Sequence, residues 1–197
     1  AIGNTSTCYF NLGDTPRALQ SLLEAIAVQK KAGLTAPLKN SYLELGNIYL
    51  EKGESLKALG YFRQALALVK KSDSPAQFAD LASAVAQALG EAGSLDEAER
   101  YNQQAFEACT KDDRNQLAYA FLTRALIADG RGQLSQAEQA YQQALDAGTK
   151  VPAVQWQAYG GLGRAYARSG DFTRAKQSYE SALRVIKENR DDQLYNE

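Results

Sequence analysis

Histidine and methionine are missing altogether from this 197-residue chain, while tryptophan occurs once, cysteine twice and proline four times. Without histidine the commonest general base and metal ligand is gone. Cys8 and Cys109 belong to no paired-cysteine motif, so they read as two small buried or half-buried thiols rather than a disulfide or a nucleophile. No run of apolar residues is long enough to span a bilayer, and no signal peptide precedes Ala1. Lysine and arginine number 22 against 23 acidic residues, a net charge of −1, which argues for neither a nucleic-acid surface nor a membrane-attracting face. No stretch alternates with period two, so no sheet is expected. There is no initiator methionine, residues 2–12 hold part of a first helix, and residues 191–197 read as the start of a further or capping helix. The chain therefore reads as a segment of a longer polypeptide, with the cytoplasm as the expected compartment.

What the chain does contain is a repeat. Gly13, Gly53, Gly93, Gly132 and Gly170 are each followed five residues later by an alanine (Ala18, Ala58, Ala98, Ala137, Ala175). After another seven comes a second one (Ala25, Ala65, Ala105, Ala144, Ala182), so the repeat steps are 40, 40, 39 and 38 residues. Three small residues held in register over five copies define an array of one supersecondary unit. The glycine ends one helix and opens a turn, and the two alanines lie on one face of the next helix, where they admit a close crossing. Ala58, Ala65, Ala98, Ala105, Ala137, Ala144, Ala175 and Ala182 are expected to be almost fully buried.

Upstream of the glycines, Tyr42, Leu45, Gly46 and Tyr49 recur as Tyr159, Leu162, Gly163 and Tyr166, one stripe of a first helix. Caps are expected at Thr15 before Pro16 and at Ser74 before Pro75, with capping boxes at Ser74 and Gln77, Ser94 and Glu97, and Ser135 and Glu138. First helices are read near 1–12, 37–52, 75–92, 113–131 and 152–169, and second helices near 16–32, 55–72, 95–110, 135–148 and 172–189. The units run approximately over 1–34, 35–73, 74–111, 112–150 and 151–190.

Tyr42, Leu45, Gly46, Tyr49, Gly53, Ala58, Phe62 and Ala65 resemble the tetratricopeptide repeat signature, and Tyr159, Leu162, Gly163, Tyr166, Gly170, Ala175, Tyr179 and Ala182 match it again. The long steps are similar to the variety found in kinesin light chains and many bacterial signalling proteins. The resemblance implies an all-α, right-handed superhelical solenoid of helix-turn-helix repeats along the whole chain. Two departures stand out: Leu89 and Ala128 replace the tyrosine, and Arg124 occupies a position expected to be leucine. An unpaired buried guanidinium is too costly to persist, so Arg124 is expected to reach Glu138 or Asp129, or to extend its head to solvent.

In the family, first helices line a concave groove. Carried over by the matched signatures, the groove positions are Asn40, Leu43, Asn47, Leu50 and Glu51 in the second unit and Asp80, Ser83, Gln87 and Glu91 in the third. The fourth unit gives Tyr119, Leu122, Leu126 and Asp129, and the fifth Gln157, Arg164 and Arg168. Amides there can satisfy a ligand backbone, leucine and tyrosine can offer pockets, and the arginine pair can grip a carboxylate. The carboxylate clamp of chaperone-binding relatives is not reproduced, since Leu43 replaces its lysine and only Asn47 agrees.

Nothing reads as catalytic. Asp96, Glu97 and Glu99 suit a helix N-terminus. Gly160, Gly161 and Gly163 sit inside a helical pattern without the lysine of a phosphate loop, so close packing explains them. Residues 156–184, with Val185, Ile186 and Asn189, resemble the last repeat that precedes a caspase-like CHAT peptidase domain in bacterial proteins, where the array senses or recruits. The expectation is a non-enzymatic scaffold binding a protein or peptide in its groove, without metal or cofactor, as the recognition region of a larger protein. Two alternatives are a regulatory sensor of a small molecule or signalling peptide and a homo-oligomer formed through the solenoid ends.

Overall fold

The structure is a computed structural model that describes residues 9, 13–110, 112–148 and 150–195, with the backbone alone over 190–195. Among these residues there are nine helices and no strand. They are α1 (Thr15–Lys31), α2 (Thr35–Glu51), α3 (Ser55–Leu66), α4 (Pro75–Glu91), α5 (Leu95–Ala108), α6 (Arg114–Gly130), α7 (Leu134–Ala147), α8 (Pro152–Ser169) and α9 (Phe172–Tyr195).

The turns follow from glycine. All five repeat glycines stand at φ between 72° and 83°, a left-handed backbone that a side chain resists. Behind each one the next N–H reaches back five residues, as in Glu54 to the Tyr49 carbonyl (2.8 Å) and Asp171 to that of Tyr166 (2.9 Å). This closes the helix ends with Schellman-type bonds. Gly33, at φ 65°, makes the same turn between α1 and α2, with Leu34 N–H on the Gln29 carbonyl (3.0 Å).

Helix starts differ from expectation. Asp14, not Thr15, caps α1 by accepting from the Arg17 N–H (3.2 Å). Ser74 and Ser94 are N-caps without a side-chain bond, and Gln133 takes the N-cap of α7, which leaves Ser135 inside the helix. α3 also ends at Leu66 instead of continuing to 72. Three-residue turns take over, Leu68 N–H on the Ala65 carbonyl and Val69 N–H on that of Leu66, and they bring Leu68 and Val69 against the core that contains Leu81. At the other end α9 runs unbroken through 191–195, so these residues are its last turns rather than the start of a separate helix. Cys8 lies outside the described residues.

Helices pack as hairpins, α2 on α3, α4 on α5, α6 on α7 and α8 on α9, and each second helix packs on the next first helix. α4 also lies against α6, and α6 against α8, which makes an all-α solenoid with a row of apolar clusters shared between neighbouring hairpins. The alanines set the crossings: Ala58, Ala65, Ala98, Ala105, Ala137 and Ala144 are fully buried, and Ala175 and Ala182 are 4% and 7% exposed. Glycine serves the same end where a β-carbon at Gly46 or Gly163 would overlap the ring of Phe62 or Tyr179 from the paired helix.

Candidate functional site

The first-helix surface consists of the open faces of α2, α4, α6 and α8. On α2, Asn40, Asn47 and Glu51 are exposed and Leu43 and Leu50 half-buried; on α4, Asp80 and Glu91 are exposed and Gln87 half-buried. On α6, Tyr119 is exposed and Leu126 half-buried, while on α8 Arg164 and Arg168 are exposed and Gln157 half-buried. Three of the expected groove residues, Ser83, Leu122 and Asp129, are not on this surface. Ser83 and Leu122 are only 6% and 7% exposed, because neighbouring first helices, α4 beside α6 and α6 beside α8, close over these positions.

The basic end is also not an open clamp. Asp129, 8% exposed at the end of α6, holds Arg168 through Nη1–H on Oδ1 (2.5 Å) and on its own carbonyl (3.1 Å). Arg164 Nε stands farther off, 4.0 Å from Asp129 Oδ2. A carboxylate buried to this degree needs such partners, and the ion pair ties α8 to α6. Elsewhere the surface is knitted by exposed bonds, Gln87 Nε2–H and Ser55 Oγ–H both to Glu91 (3.2 Å each) and Lys39 Nζ–H to Gln77 (2.7 Å).

A titratable cluster gathers where α4, α5 and α6 meet. Gln116, 7% exposed, donates to the Ala76 carbonyl (3.0 Å), and its backbone N–H caps onto Asp113 (3.1 Å). Desolvation, with Asp113 adding repulsion, pushes the Asp80 carboxyl above its ordinary range. Desolvation first, then Asp80 and Asp113, pushes the Cys109 thiol up to about 11, and desolvation with Asp80 raises Tyr119.

Arg124 takes neither expected carboxylate. Glu138 accepts from Tyr166 (2.7 Å) and from Arg174 (3.4 Å), and Asp129 is held by Arg168. Its half-buried guanidinium lies instead over the ring of Phe106, 4.0 Å from the centroid, with Phe121 at 5.7 Å. Trp156, 41% exposed beside Gln157, is a surface that the signature positions pass over. Its repeat counterparts are Lys39, half-buried, and Ala79 and Ala118, both buried, and an aromatic ring at a position that two units fill with alanine is the signal that would have found it.

No group of His, Cys, Asp or Glu among the described residues could hold a metal ion, and no described helix is long and apolar enough to cross a membrane. Stacked helical hairpins with this surface are the architecture of interaction scaffolds. Two family profiles described as tetratricopeptide repeat match the chain, one at residues 122–191 and one at residues 41–76. The matched segments are tetratricopeptide repeats, and the described hairpins outside them continue the same helical solenoid. No curated protein matches it. Among solved structures it is similar to the apo form of RapI, at 17% identity over 94% of this chain and 67% of that one, with a TM-score of 0.75. It is also similar to PilW, a type IV pilus biogenesis factor, at 21% identity over 94% and 76% of the two chains with a TM-score of 0.67. BtubC from P. vanneervenii aligns at 19% identity over 96% and 80%, with a TM-score of 0.66. At these identities the likeness is one of fold.

Proposed function

We propose that this chain is a non-enzymatic interaction scaffold that takes an extended peptide or protein segment along its first-helix surface, as the recognition region of a larger protein. The resemblance of its last repeat to arrays that precede CHAT domains supports the second part of that reading. The observation that carries the first part is the combination, across the first helices α2, α4, α6 and α8, of exposed amides such as Asn47, half-covered leucines such as Leu43 and Leu126, and the exposed Arg164 and Arg168. Amides match a ligand backbone, and half-covered leucines still gain from burial. The arginines hold a ligand carboxylate in exchange with Asp129, and Arg164, the looser of the two, is the first to turn outward.

A partner isolated by affinity capture tests this. Arg164→Glu with Arg168→Glu is expected to weaken it by about 2 kcal/mol or more, and by less at high salt. Asp129→Asn releases the arginines and is expected to tighten a partner that offers a carboxylate. Unchanged affinity in the charge-reversed variant, with circular dichroism showing an intact fold, would move the binding surface elsewhere.

One observation favours self-association through the end as a second reading. On α9, Tyr179, Leu183 and Ile186 are 41%, 66% and 45% exposed, whereas Tyr141 and Leu145, the α7 counterparts of the first two, are 1% and 8% exposed beneath α8. Sedimentation that depends on concentration, and that Leu183→Glu with Ile186→Glu abolishes, is the expected result. A monomer at every concentration rejects this reading.

A further inference from the structure

The two departures from the repeat pattern meet at one place. On α6, Ala128 stands where the counterpart helices carry Tyr49, Leu89 and Tyr166, and Arg124 stands where they carry Leu45, Val85 and Leu162. Those last three are core residues, 0%, 0% and 5% exposed. In the last hairpin Tyr166 occupies the space beside the second helices, its hydroxyl donating to Glu138 (2.7 Å) and its ring lying 4.4 Å from the Arg174 guanidinium. Alanine leaves the corresponding space empty. Between α5 and α7, with α6 as its floor, there is a crevice of about 400 Å³ onto which Arg124, Arg131, Glu99 and the glutamines 136, 139 and 143 open. It opens on the second-helix side, away from the α4, α6 and α8 surface.

Arg124 is held there by rings alone. Phe106 and Phe121 meet edge to face at 5.1 Å and 65°, and the guanidinium lies 4.0 Å over Phe106. A ring covers the face of a guanidinium and leaves its edge of N–H donors free. No carboxylate among the described residues lies within 4.0 Å of it. Glu99 in the same crevice is taken by Arg131 Nη1 (3.2 Å), whose other terminal nitrogen holds Asp96 (2.9 Å). Two cations thus line the crevice against one carboxylate, and the side-chain amides of Gln136, Gln139 and Gln143 make no hydrogen bond among the described residues. A leucine at position 124 would fill the stripe without a desolvation cost, so packing does not explain the arginine.

We propose that this crevice is a carboxylate-binding site, separate from the first-helix surface, in which the edge of Arg124 accepts a carboxylate bidentately and the glutamine amides bond the polar atoms beside it. Its volume lies at the small end of ligand pockets and suits one carboxylate on a short stem. That group is either a free small dicarboxylic acid or an acidic side chain presented by another protein.

The test is nuclear magnetic resonance of the intact chain, following the Arg124 Nε–H signal during titration with glutarate, with acetyl-Gly-Glu-Gly-amide and with its glutamine analogue. A saturable shift with glutarate alone assigns a free dicarboxylate, and one with the glutamate tripeptide assigns an acidic side chain. The glutamine analogue is expected to produce none. Arg124→Leu restores the residue type of the counterpart helices, and Ala128→Tyr refills the crevice. Both are expected to fold, as thermal melts will show, and to bind at least tenfold more weakly, read in the first variant from the glutamine amide signals. No shift with either carboxylate up to about 10 mM, where a millimolar site is nearly filled, overturns the proposal. So does undiminished binding by Arg124→Leu.

Discussion

Two helix crossings in this solenoid use the same repeat positions in opposite ways. Where α7 meets α8, the ring of Tyr141, 1% exposed, lies on Gly161 so closely that a β-carbon there would overlap it. One hairpin earlier the same positions hold Asn102, fully buried, and Thr123, 3% exposed. Neither amide atom of Asn102 has a hydrogen-bond partner among the described residues, and Thr123 turns its hydroxyl to the Tyr119 carbonyl of its own helix (3.0 Å). The Tyr141 hydroxyl also has no partner at hydrogen-bond distance among the described residues, with the Arg164 guanidinium near it, but with it Tyr141 buries a whole ring. One joint is thus a large aromatic knob in a glycine hole and the other a small amide under strain of desolvation. The repeat specifies where helices cross, and the individual side chains decide how firmly.

The largest expected effect is at the aromatic joint. Tyr141→Ala removes a buried ring from a site that cannot collapse onto glycine and is expected to cost about 3–5 kcal/mol in urea unfolding. A loss below about 1 kcal/mol would mean that the ring carries little of that joint. Gly161→Ala sharpens the point, because alanine is the better helix former yet its methyl must displace the Tyr141 ring. A loss of about 1–3 kcal/mol is expected. Ala137→Leu on the same hairpin, at a fully buried crossing, falls in that range too.

At the other joint the sign reverses. Asn102→Leu replaces an unpartnered buried amide by an apolar group of similar size and is expected to raise stability by about 1–2 kcal/mol, seen as a higher thermal midpoint. A lower midpoint would show that the amide has found a partner and that the two joints are equivalent.

This contrast also divides what could be read from the chain before its structure. The five glycine turns and the buried alanines were legible because each answers a local steric demand, a positive φ or a close crossing. The caps at Asp14 and Gln133 were not, since a serine or threonine one or two residues away offered an equally good pattern. Ser83 and Leu122 occupy groove positions by signature, but their burial is decided by the neighbouring first helix. The Asp129 ion pair with Arg168 joins residues 39 apart, which no local pattern reports. Ala128 and Arg124 stood out singly; that they share a crevice depends on three helices meeting.

The smallest effect concerns charge, and it too separates the joints. Asp80 and Cys109 belong to the α4, α5 and α6 joint, and their repeat counterparts one hairpin later are Tyr119 and Gly148, so only the earlier joint carries an acid and a thiol. Desolvation, then Asp80 and Asp113, hold the Cys109 thiol at about 11, which leaves on the order of one thiolate in a thousand at pH 8. Alkylation of Cys109 is expected to be slow there and to quicken as pH rises toward 11. Asp80→Asn removes one of the two repelling charges and is expected to speed it. The same substitution tests stability. Because the Asp80 carboxyl is raised in the folded protein, the folded state holds its proton longer than the unfolded one does. Its contribution is therefore full below the unfolded value and lost as pH rises through the folded one. From about pH 3 to pH 6 the melting temperature of Asp80→Asn should gain on that of the native chain. Parallel melting curves, with an unchanged alkylation rate, would show that Asp80 is as freely solvated as any surface carboxylate and that the two joints do not differ in their electrostatics.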